Sequence, residues 1–530
     1  MSGRAAWWVA AASAVCLLWL CPGPVRAQEG RSPSPIDVPT VLAQLTAHNG
    51  ELRQARLAVD RAELVWTGER LALAPVLTLD ASYAHSDEPT QGLFENGLRI
   101  TDVVRGQGQI AQRLPWGTTL ALVFDATRVH TFQPFQLPGG GRQVTEIGPN
   151  WDERLAFTLR QPLLRGSGRA VNTANVALAE QQRDVASLEV ERSASTVVLE
   201  ALTRYLELVA AHEDVAIKAR QLEILDGQRA ATEALLEAGR VAATELDVLD
   251  QRVLVLEEAR LVANHQRDVQ SLELARVLGA DGPEVTYAPS GLPELGSILA
   301  DDAALDAAAR AHNPELRLLR EQLDAKRIEL ATTEDATLPQ LDLTLSVGQR
   351  GLSADGFFDA GSQLVTLDAG NVALGATFSM PLGADRATQQ HEATRLDIVQ
   401  IEARIEDTER RIASEVHKAA RLARLNAQRV DLSERSVLLA RKNLTAEQSR
   451  FQSGLSTNQA VLQVEEELER AEVKASRARV DVLAAQLQVL HLTGELVGTA
   501  VTAQPALTPR PPLPYEGRGG GPHPPAPSPL

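Results

Sequence analysis

Three short motifs in this chain resemble parts of catalytic sites. The letters HEDV at His212 and HEAT at His391 begin like a zinc-binding helix, but neither has the second His four residues later. The letters RGSGRA at Arg165–Ala170 lack the third Gly of a dinucleotide-binding loop. The sequence also has no Gly-Lys-Ser/Thr loop that could bind phosphate. We therefore predict a protein without enzymatic activity, cofactor or bound metal.

The composition argues against a second class of function. The chain has 530 residues and a formal net charge of −17, whereas nucleic-acid binding selects for Lys and Arg. Aromatic residues make up only 4% of the chain, which is typical of long packed helices rich in Ala, Leu, Glu, Gln and Arg. We expect no nucleic-acid partner.

The N-terminus has the pattern of an export signal. Arg4 supplies positive charge, Ala5–Leu20 is an apolar core, and Val25–Ala27 offers small residues for cleavage. We predict a signal peptide over 1–27 and a disordered N-terminus over 28–37. After the signal, no apolar stretch reaches the roughly 18–20 residues of a membrane-spanning helix. The exported chain could therefore enter a membrane only as a β-barrel, whose strands satisfy every backbone hydrogen bond.

The cysteines lie within this signal. Cys16 and Cys21 are the only two in the sequence, and cleavage after Ala27 would remove both. Disulfides and cysteine-ligated metal sites are then excluded, even in an oxidising compartment. Lipid attachment at Cys21 stays open as an alternative, although the preceding Trp19 and Leu20 are larger than such a site prefers.

The chain repeats one plan. The letters AHNGELR at 47–53 return as AHNPELR at 311–317, and further paired landmarks follow in the same order. They are the helix-ending Pro75 and Pro339, the segments LRQPLLRGSGR and FSMPLGADR, the turns at Gly239 and Gly454, and the turns at Gly279 and Gly494. We predict an internal duplication, with repeat 1 over 38–283, a linker over 284–300 and repeat 2 over 301–498.

Each repeat is predicted to hold one shorter helix, then strands, then two very long helices. The predicted helices cover 38–73, 169–238 and 241–278 in repeat 1, and 301–337, 384–453 and 456–493 in repeat 2. Apolar residues recur along the long helices at alternating three- and four-residue steps, as in the seam of a coiled coil. The seam residues are Leu199, Leu202, Leu206, Val209, Leu246, Leu249, Val253, Leu256, Val480, Leu483, Leu487 and Leu490. The Pro- and Gly-rich tail over 499–530 is predicted to be disordered.

The segments between the helices alternate between apolar and polar residues. This pattern predicts strands with one apolar and one wet face, as in a membrane barrel with lipid outside and water inside. A soluble sandwich shows the same alternation, but here the strands come in pairs flanked by long helices. The predicted wall residues are Leu77, Leu79, Tyr83, Leu155, Phe157, Leu159, Leu341, Leu343, Leu345, Leu374 and Phe378, and the predicted strand–helix junctions are Pro75, Pro162, Pro339 and Pro381.

The strands are too few for one chain to close a barrel. Four are clear, and Gly108–His130 resembles an extra hairpin with a turn at Pro115–Gly117, which has no counterpart in repeat 2. Whether that hairpin joins the sheet or forms a separate loop stays open. In repeat 2 we predict a Gly-rich loop over Gly348–Gly370 between the strands. Because known membrane barrels begin at about eight strands, several protomers must pool theirs.

Together these features resemble the TolC-type outer membrane efflux proteins. The resemblance rests on AHNPEL, the helix-ending LP, QPLLRGSGR, LEAGRVAATELDVL and LARVLG, and it covers 38–498. It implies a mixed α+β membrane protein, in which a homotrimer builds one outer-membrane β-barrel continued by an antiparallel coiled-coil barrel in the periplasm. It also implies a passive exit duct of a tripartite efflux or type I secretion system in a Gram-negative bacterium. An inner-membrane transporter would feed that duct through a periplasmic adaptor protein.

The resemblance assigns roles to the two turns between long helices, which would form the periplasmic entrance and dock the adaptor. These tip residues are Gly239, Arg240, Val241, Ala242, Gly454, Leu455, Ser456 and Thr457. The chain departs from the family where some members carry an aspartate pair, because those positions fall on Ala460 and Gln463. The candidates for lining the entrance are Asp247, Asp250 and Gln463. The run Glu465–Glu467 follows the second tip, but a charged run on a helix is usually a solvated face.

Two other classes of protein stay open at this point. A periplasmic adaptor also has long helical hairpins, but it would show one hairpin flanked by compact β modules. A structural coiled-coil envelope protein would lack paired alternating strands at matching places in two repeats.

Overall fold

The computed structural model describes residues 34–91, 96–137, 139, 141–280, 286–293, 301–366, 369–383 and 385–497. The predicted signal peptide and the predicted tail lie outside the described residues. In chain order the elements are β1 (Ser34–Ile36), α1 (Val38–His48), α2 (Gly50–Leu71), β2 (Val76–Gln91), β3 (Asn96–Arg113), β4 (Thr119–Gln136), β5 (Arg142–Pro162), α3 (Arg169–Asn172), α4 (Ala174–Glu237), α5 (Ala243–Leu278), β6 (Tyr287–Pro289), α6 (Asp302–His312), α7 (Pro314–Ala336), β7 (Gln340–Ser353), α8 (Phe357–Thr366), β8 (Gly370–Ser379), α9 (Arg386–Gln452) and α10 (Asn458–Leu492).

The two longest helices follow from the scarcity of helix-breaking residues. Helix α9 has 67 residues with no Gly or Pro, and α4 has 64 residues with the single Gly227. At about 1.5 Å per residue, α9 is about 100 Å long. Helix α4 packs against α5, and α9 packs against α10, so the long helices form two hairpins. The predicted helix over 169–238 differs only in a break at Thr173, between α3 and α4.

The shorter helix of each repeat is two helices, not the single helix that we predicted. Helices α1 and α2 are separated at Asn49, and α6 and α7 at Asn313. Both Asn side chains cap the helix that follows. Oδ1 of Asn49 accepts a hydrogen bond from the Leu52 N–H at 3.0 Å, and Oδ1 of Asn313 accepts one from the Glu315 N–H at 3.0 Å.

The same two asparagines make an equivalent long-range contact in each copy of the heptad. Nδ2 of Asn49 donates to the Val277 carbonyl at 2.9 Å, and Nδ2 of Asn313 donates to the Leu492 carbonyl at 3.0 Å. These carbonyls belong to the last turns of α5 and α10. AHNGELR and AHNPELR therefore build one contact twice, which ties the short helices to the end of each long hairpin. We name these two contacts the helix joints.

Glycines complete each helix joint. Helix α5 ends at Leu278 and is followed by Gly279 with φ 69°, and Gly494, two residues after the end of α10, has φ 76°. A side chain on Gly279 would place its Cβ 2.6 Å from the His48 carbonyl oxygen, and one on Gly494 would collide with the His312 carbonyl oxygen. Both positions therefore require Gly for the left-handed backbone and for the close approach.

Six strands form one antiparallel sheet in the order β2-β3-β4-β5-β7-β8. The four clearly predicted strands are β2, β5, β7 and β8. The extra hairpin forms β3 and β4 inside the sheet, so it is not a separate loop. Strands β2 and β8 are the two edges of the sheet within one protomer.

The predicted loop over Gly348–Gly370 is wrong for most of its length. Strand β7 continues to Ser353, because its pairing with β5 continues to that residue, and α8 follows. Helix α8 packs on the end of the sheet, where Ala360 is buried and the rings of Phe357 and Trp151 lie 5.4 Å apart. The apolar side chains of this short segment favour a packed helix over a solvated loop.

The prediction of disorder over 28–37 is wrong for residues 34–37. Strand β1 pairs in parallel with β6, which lies in the predicted linker. Ile36 and Tyr287 are buried in the main core, together with apolar residues of α1, α4, α5 and α10. This burial fixes both segments. A second core joins α6, α7, α9 and α10, so α10 packs in the cores of both predicted repeats.

No helix within the described residues is both long enough and apolar enough to cross a membrane.

Candidate functional site

One face of the sheet carries a row of apolar side chains that crosses all six strands. Residues directly opposite each other in an antiparallel sheet point to the same side, so the register assigns side chains to faces. One row takes an apolar residue from each of the six strands, and these side chains are 40% to 73% exposed. The row is Leu77, Ile110, Leu122, Phe157, Val347 and Val372. We name the side of the sheet that carries this row the apolar face.

The predicted wall residues of all four predicted strands lie on the apolar face, as the strand register shows. Leu79 on one edge strand and Leu374 on the other are among the most exposed large apolar side chains of the described chain. An exposed apolar surface that spans a whole sheet marks an interaction site, because water solvates it poorly. The apolar face therefore needs a covering medium or partner.

The opposite face of the sheet is polar and carries ion pairs. Arg105 on β3 lies 3.3 Å from Asp125 on β4. Asp152 on β5 pairs with Arg350 on β7 at 2.8 Å, and Arg160 pairs with Asp342 at 2.6 Å. These pairs link adjacent strands. This polar face suits contact with water.

The four predicted strand–helix junctions lie where the chain passes between helices and sheet. Pro75 and Pro339 directly precede β2 and β7. Pro162 is the last residue of β5, and Pro381 lies between β8 and α9. All four passages are at the same end of the sheet, because the strands alternate in direction and β2 and β7 begin at the end where β5 and β8 finish.

Both tips turn through the same backbone geometry. Gly239 after α4 has φ 71°, and Gly454 after α9 has φ 74°. In each tip the next residue donates its N–H to a carbonyl five residues earlier, at 2.9 Å from Arg240 and 2.8 Å from Leu455. This is the pattern of a helix closed by a left-handed glycine. The structure thus forms both turns at the predicted residues.

The two tips differ in how the next helix begins. The Thr457 side chain caps α10 by accepting a hydrogen bond from the Ala460 N–H at 3.3 Å, whereas Ala242 at the start of α5 has no capping side chain. Ser456 donates a hydrogen bond to Glu447. Leu455 is 80% exposed although it is apolar. The exposed tip residues are Gly239, Arg240, Ala242, Gly454, Leu455 and Thr457, and Val241 and Ser456 are half-buried.

The candidate entrance residues lie on the helices just after the tips. Asp247 and Gln463 are exposed. Asp250 forms an ion pair with Arg229 of α4 at 2.5 Å, and this hydrogen bond raises the pKa of the Arg229 guanidinium. Asp250 is therefore already engaged within the hairpin. Within the described ranges, no group of three or more His, Cys, Asp or Glu is placed to hold a metal ion.

The sequence interpretation missed a buried carboxyl near the tips. Glu465 is only 6% exposed, and its Oε1 has no hydrogen-bond partner within the described residues. Burial raises the pKa of Glu465 to about 7, and the nearby charge of Arg252 opposes that rise. The expectation that Glu465 belongs to a solvated run is wrong. Glu465 lies three residues after the apolar Leu462 on the same helix, and residues at that spacing share a face. This spacing was the sequence signal for its burial beside Leu462.

Other polar residues of α10 contact the first hairpin along the same stretch of helix. Asn458 is buried and donates to the Thr232 hydroxyl at 3.4 Å. Glu469 pairs with Lys218 of α4 and lies 3.4 Å from Arg252 of α5. We name the contact of α10 residues 458–477 with the first hairpin the tip-side contact. The contact of α10 residues 480–491 with α4 is the core-side contact.

A family comparison finds a match over part of the chain. Residues 306–495 match the family model "Outer membrane efflux protein", which corresponds to repeat 2 from within α6 to just beyond α10. The solvent efflux pump outer membrane protein SrpC of Pseudomonas putida is 31% identical over 137 residues. That alignment covers 24% of this chain and 28% of SrpC, so the chain matches less than a third of this relative's length.

Solved structures extend the likeness to nearly the whole chain. The outer membrane protein VceC of Vibrio cholerae has a TM-score of 0.61 at 15% identity, over 86% of this chain and 96% of VceC. The CmeC outer membrane channel of Campylobacter jejuni has a TM-score of 0.60 at 13% identity, over 87% of this chain and 86% of CmeC. These similarities confirm the predicted resemblance to the TolC-type family and the mixed α+β fold of its channels.

Proposed function

We propose that this protein is the outer membrane channel-tunnel of a tripartite efflux or type I secretion system. It would be a passive exit duct, without catalytic activity, for substrates that an inner-membrane transporter delivers through a periplasmic adaptor. The observation that supports this most strongly is the apolar face, which crosses all six strands and is backed by a polar, ion-paired face. This arrangement matches a barrel wall with lipid outside and water inside.

A homotrimer would complete the wall. Strands β2 and β8 leave unpaired backbone groups at the two edges of the sheet, and such edges cannot remain open in lipid. Three protomers would pair these edges in a ring. The two hairpins of each protomer would continue the ring as a helical tunnel, and α9 alone is about 100 Å long, which suits the periplasm.

The tips would form the periplasmic entrance and the docking surface for the adaptor. Leu455 supports this, because it is an apolar residue whose side chain is 80% exposed at the tip. The Leu455→Asp variant should therefore lose adaptor binding in a pull-down while the channel still assembles. If the variant still captured the adaptor as well as the unaltered protein does, this tip would not be the docking surface.

Membrane fractionation and trimer migration test the proposed function as a whole. The protein should sediment with the outer membrane and migrate in SDS as a trimer that becomes a monomer only after heating. Reconstituted protein should also form ion-conducting pores in a planar bilayer. A monomeric, water-soluble periplasmic protein without conductance would overturn the proposal.

A further inference from the structure

We infer that the hairpin of β3 and β4 forms two additional strands of the barrel wall, so that the trimeric barrel has 18 strands. The inference rests on the proposed trimeric channel and concerns the width of its exit. Repeat 2 supplies two strands to the sheet, β7 and β8, whereas repeat 1 supplies four. Two strands per repeat would give a 12-stranded ring from three protomers. The inserted hairpin raises the number of strands per protomer to six.

The hairpin is fully integrated into the hydrogen-bonded sheet. Strand β3 pairs with β2 over 16 residue positions, from Val76↔Ala111 to Gln91↔Asn96. On its other side, β4 pairs with β5 along nearly its whole length, with one irregularity near Val129. Because both flanking pairs are continuous, β3 and β4 occupy the positions between β2 and β5, and β2 and β5 do not pair with each other.

The inserted strands follow the same two-faced plan as the strands around them. On the apolar face, Ile110 and Leu122 stand between Leu77 of β2 and Phe157 of β5 in one row. On the polar face, Arg105 and Asp125 form an ion pair. A loop outside the wall would not need the alternation of apolar and polar side chains that both β3 and β4 continue.

The turn of the hairpin is bound to the strand–helix junction of repeat 1. The Trp116 carbonyl accepts a hydrogen bond from the Gly168 N–H at 3.3 Å. Arg113 donates to Asn172 at 2.7 Å. Gly117 has φ 99°, and any side chain there would lie 2.9 Å from the Pro162 ring. The hairpin therefore ends at the same level as the neighbouring strands and adds no helix to the tunnel.

The consequence is a wider exit above an unchanged helical tunnel. At equal strand tilt, the circumference of a barrel grows roughly in proportion to strand number, so 18 strands give about 1.5 times the circumference of 12. Barrels of about 16–18 strands leave an open aqueous channel. The outer-membrane section of this duct would therefore admit cargo of larger cross-section than a four-strand protomer would allow.

Electron cryomicroscopy of the full chain in lipid nanodiscs tests the inference by counting strands in the ring. The inference predicts 18 strands around a threefold axis. A threefold ring of 12 strands, with the hairpin outside the wall, would overturn the inference but leave the proposed channel intact. The absence of any closed ring would instead overturn the proposed function.

A shortened variant provides a functional comparison. Deletion of residues 92–141 joins Gln91 at the end of β2 to Arg142 at the start of β5, as in the simpler plan of repeat 2. With polyethylene glycols of graded size added to the extracellular side of a planar bilayer, the full-length pore should admit larger polymers than the variant. Equal size limits for two assembled pores would contradict the inference. If the variant does not assemble, the strand count of the full chain decides.

Discussion

Helix α10 contacts the first hairpin in two regions of different polarity. In the core-side contact, Val480, Leu483 and Leu487 are buried among apolar residues of α4 such as Leu206. In the tip-side contact, α10 instead buries Asn458 and Glu465 and forms ion pairs. Apolar burial depends little on pH or salt, whereas polar contacts depend on both. The tip-side contact therefore combines apolar packing of Leu462 with polar groups that respond to pH and salt, whereas the core-side contact is mainly apolar.

The largest expected effect comes from the core-side contact. Leu206 is completely buried, so Leu206→Ala should lower the free energy of unfolding by about 2–5 kcal/mol through lost apolar contact and a cavity. At the exposed Leu455, the same Leu→Ala change should stay within about 0.5 kcal/mol. Thermal unfolding followed by circular dichroism checks both variants. Equal decreases in the free energy of unfolding for the two variants would contradict the difference in burial between core and tip.

Titration of Glu465 should distinguish the tip-side contact by pH. Its folded pKa of about 7 lies above the ordinary value of 4.5, so the folded state holds the proton more tightly than the unfolded state. This contribution to stability is complete below pH 4.5 and is lost as the pH rises through 7. Since each pKa unit corresponds to 1.36 kcal/mol, Glu465→Gln should stabilise the protein by about 3 kcal/mol at pH 8 and change little at pH 4.5.

Denaturant unfolding at the two pH values measures this difference. Glu467→Gln is the matched control, because Glu467 lies on the exposed side of the same helix. A stabilisation of Glu465→Gln that is the same at pH 4.5 and pH 8 would show that burial of this carboxyl does not govern the contact.

Two glycines with similar backbones compare a helix joint with a tip. Gly494→Ala and Gly239→Ala both force Ala into a left-handed conformation, which costs about 1–2 kcal/mol. Only at Gly494 would the new methyl group also collide with the His312 carbonyl, since Gly239 has open space around it. Gly494→Ala should therefore lower the melting temperature more than Gly239→Ala. A larger loss at Gly239 would contradict the structure of the joint.

The smallest expected effect separates the two tips. Thr457→Ala removes the cap of α10 and should destabilise that helix start by about 1 kcal/mol. Ala242 has the extended backbone of a capping residue but no capping side chain, so Ala242→Thr should stabilise α5 by a similar amount. Amide hydrogen exchange over residues 239–250 and 454–465 reports both changes. Unaltered exchange in both variants would show that capping does not limit tip stability.

Local pattern was sufficient to predict the long helices, the tip turns and the alternating strands. Those features depend on neighbouring residues, such as the absence of Gly and Pro from α9. The helix joints were not predictable in this way. The heptads showed that something was repeated, but the partner of Asn49 is Val277, which lies 228 residues away in the chain. Distant contacts of this kind are not visible in a local pattern.

The same limit applies to Glu465 and to the inserted hairpin. Glu465 stands in a run of three carboxylates, which is normally solvated, and its burial depends on α4 and α5. The turn at Pro115–Gly117 suggested a hairpin, but its place between β2 and β5 depends on pairing across the sheet. In both cases the sequence predicted the local structure of the segment. It did not predict which distant residues the segment contacts.

Cross-linking between the two edges of the sheet tests the central claim, a wall closed by three protomers. The only cysteines of the sequence are Cys16 and Cys21, in the predicted signal, so Leu79→Cys on β2 and Leu374→Cys on β8 can be introduced together. A bifunctional thiol reagent applied to the protein in outer membranes should give covalent dimers and trimers, and no larger species. Monomers alone, or a ladder that continues beyond the trimer, would contradict the closed threefold wall.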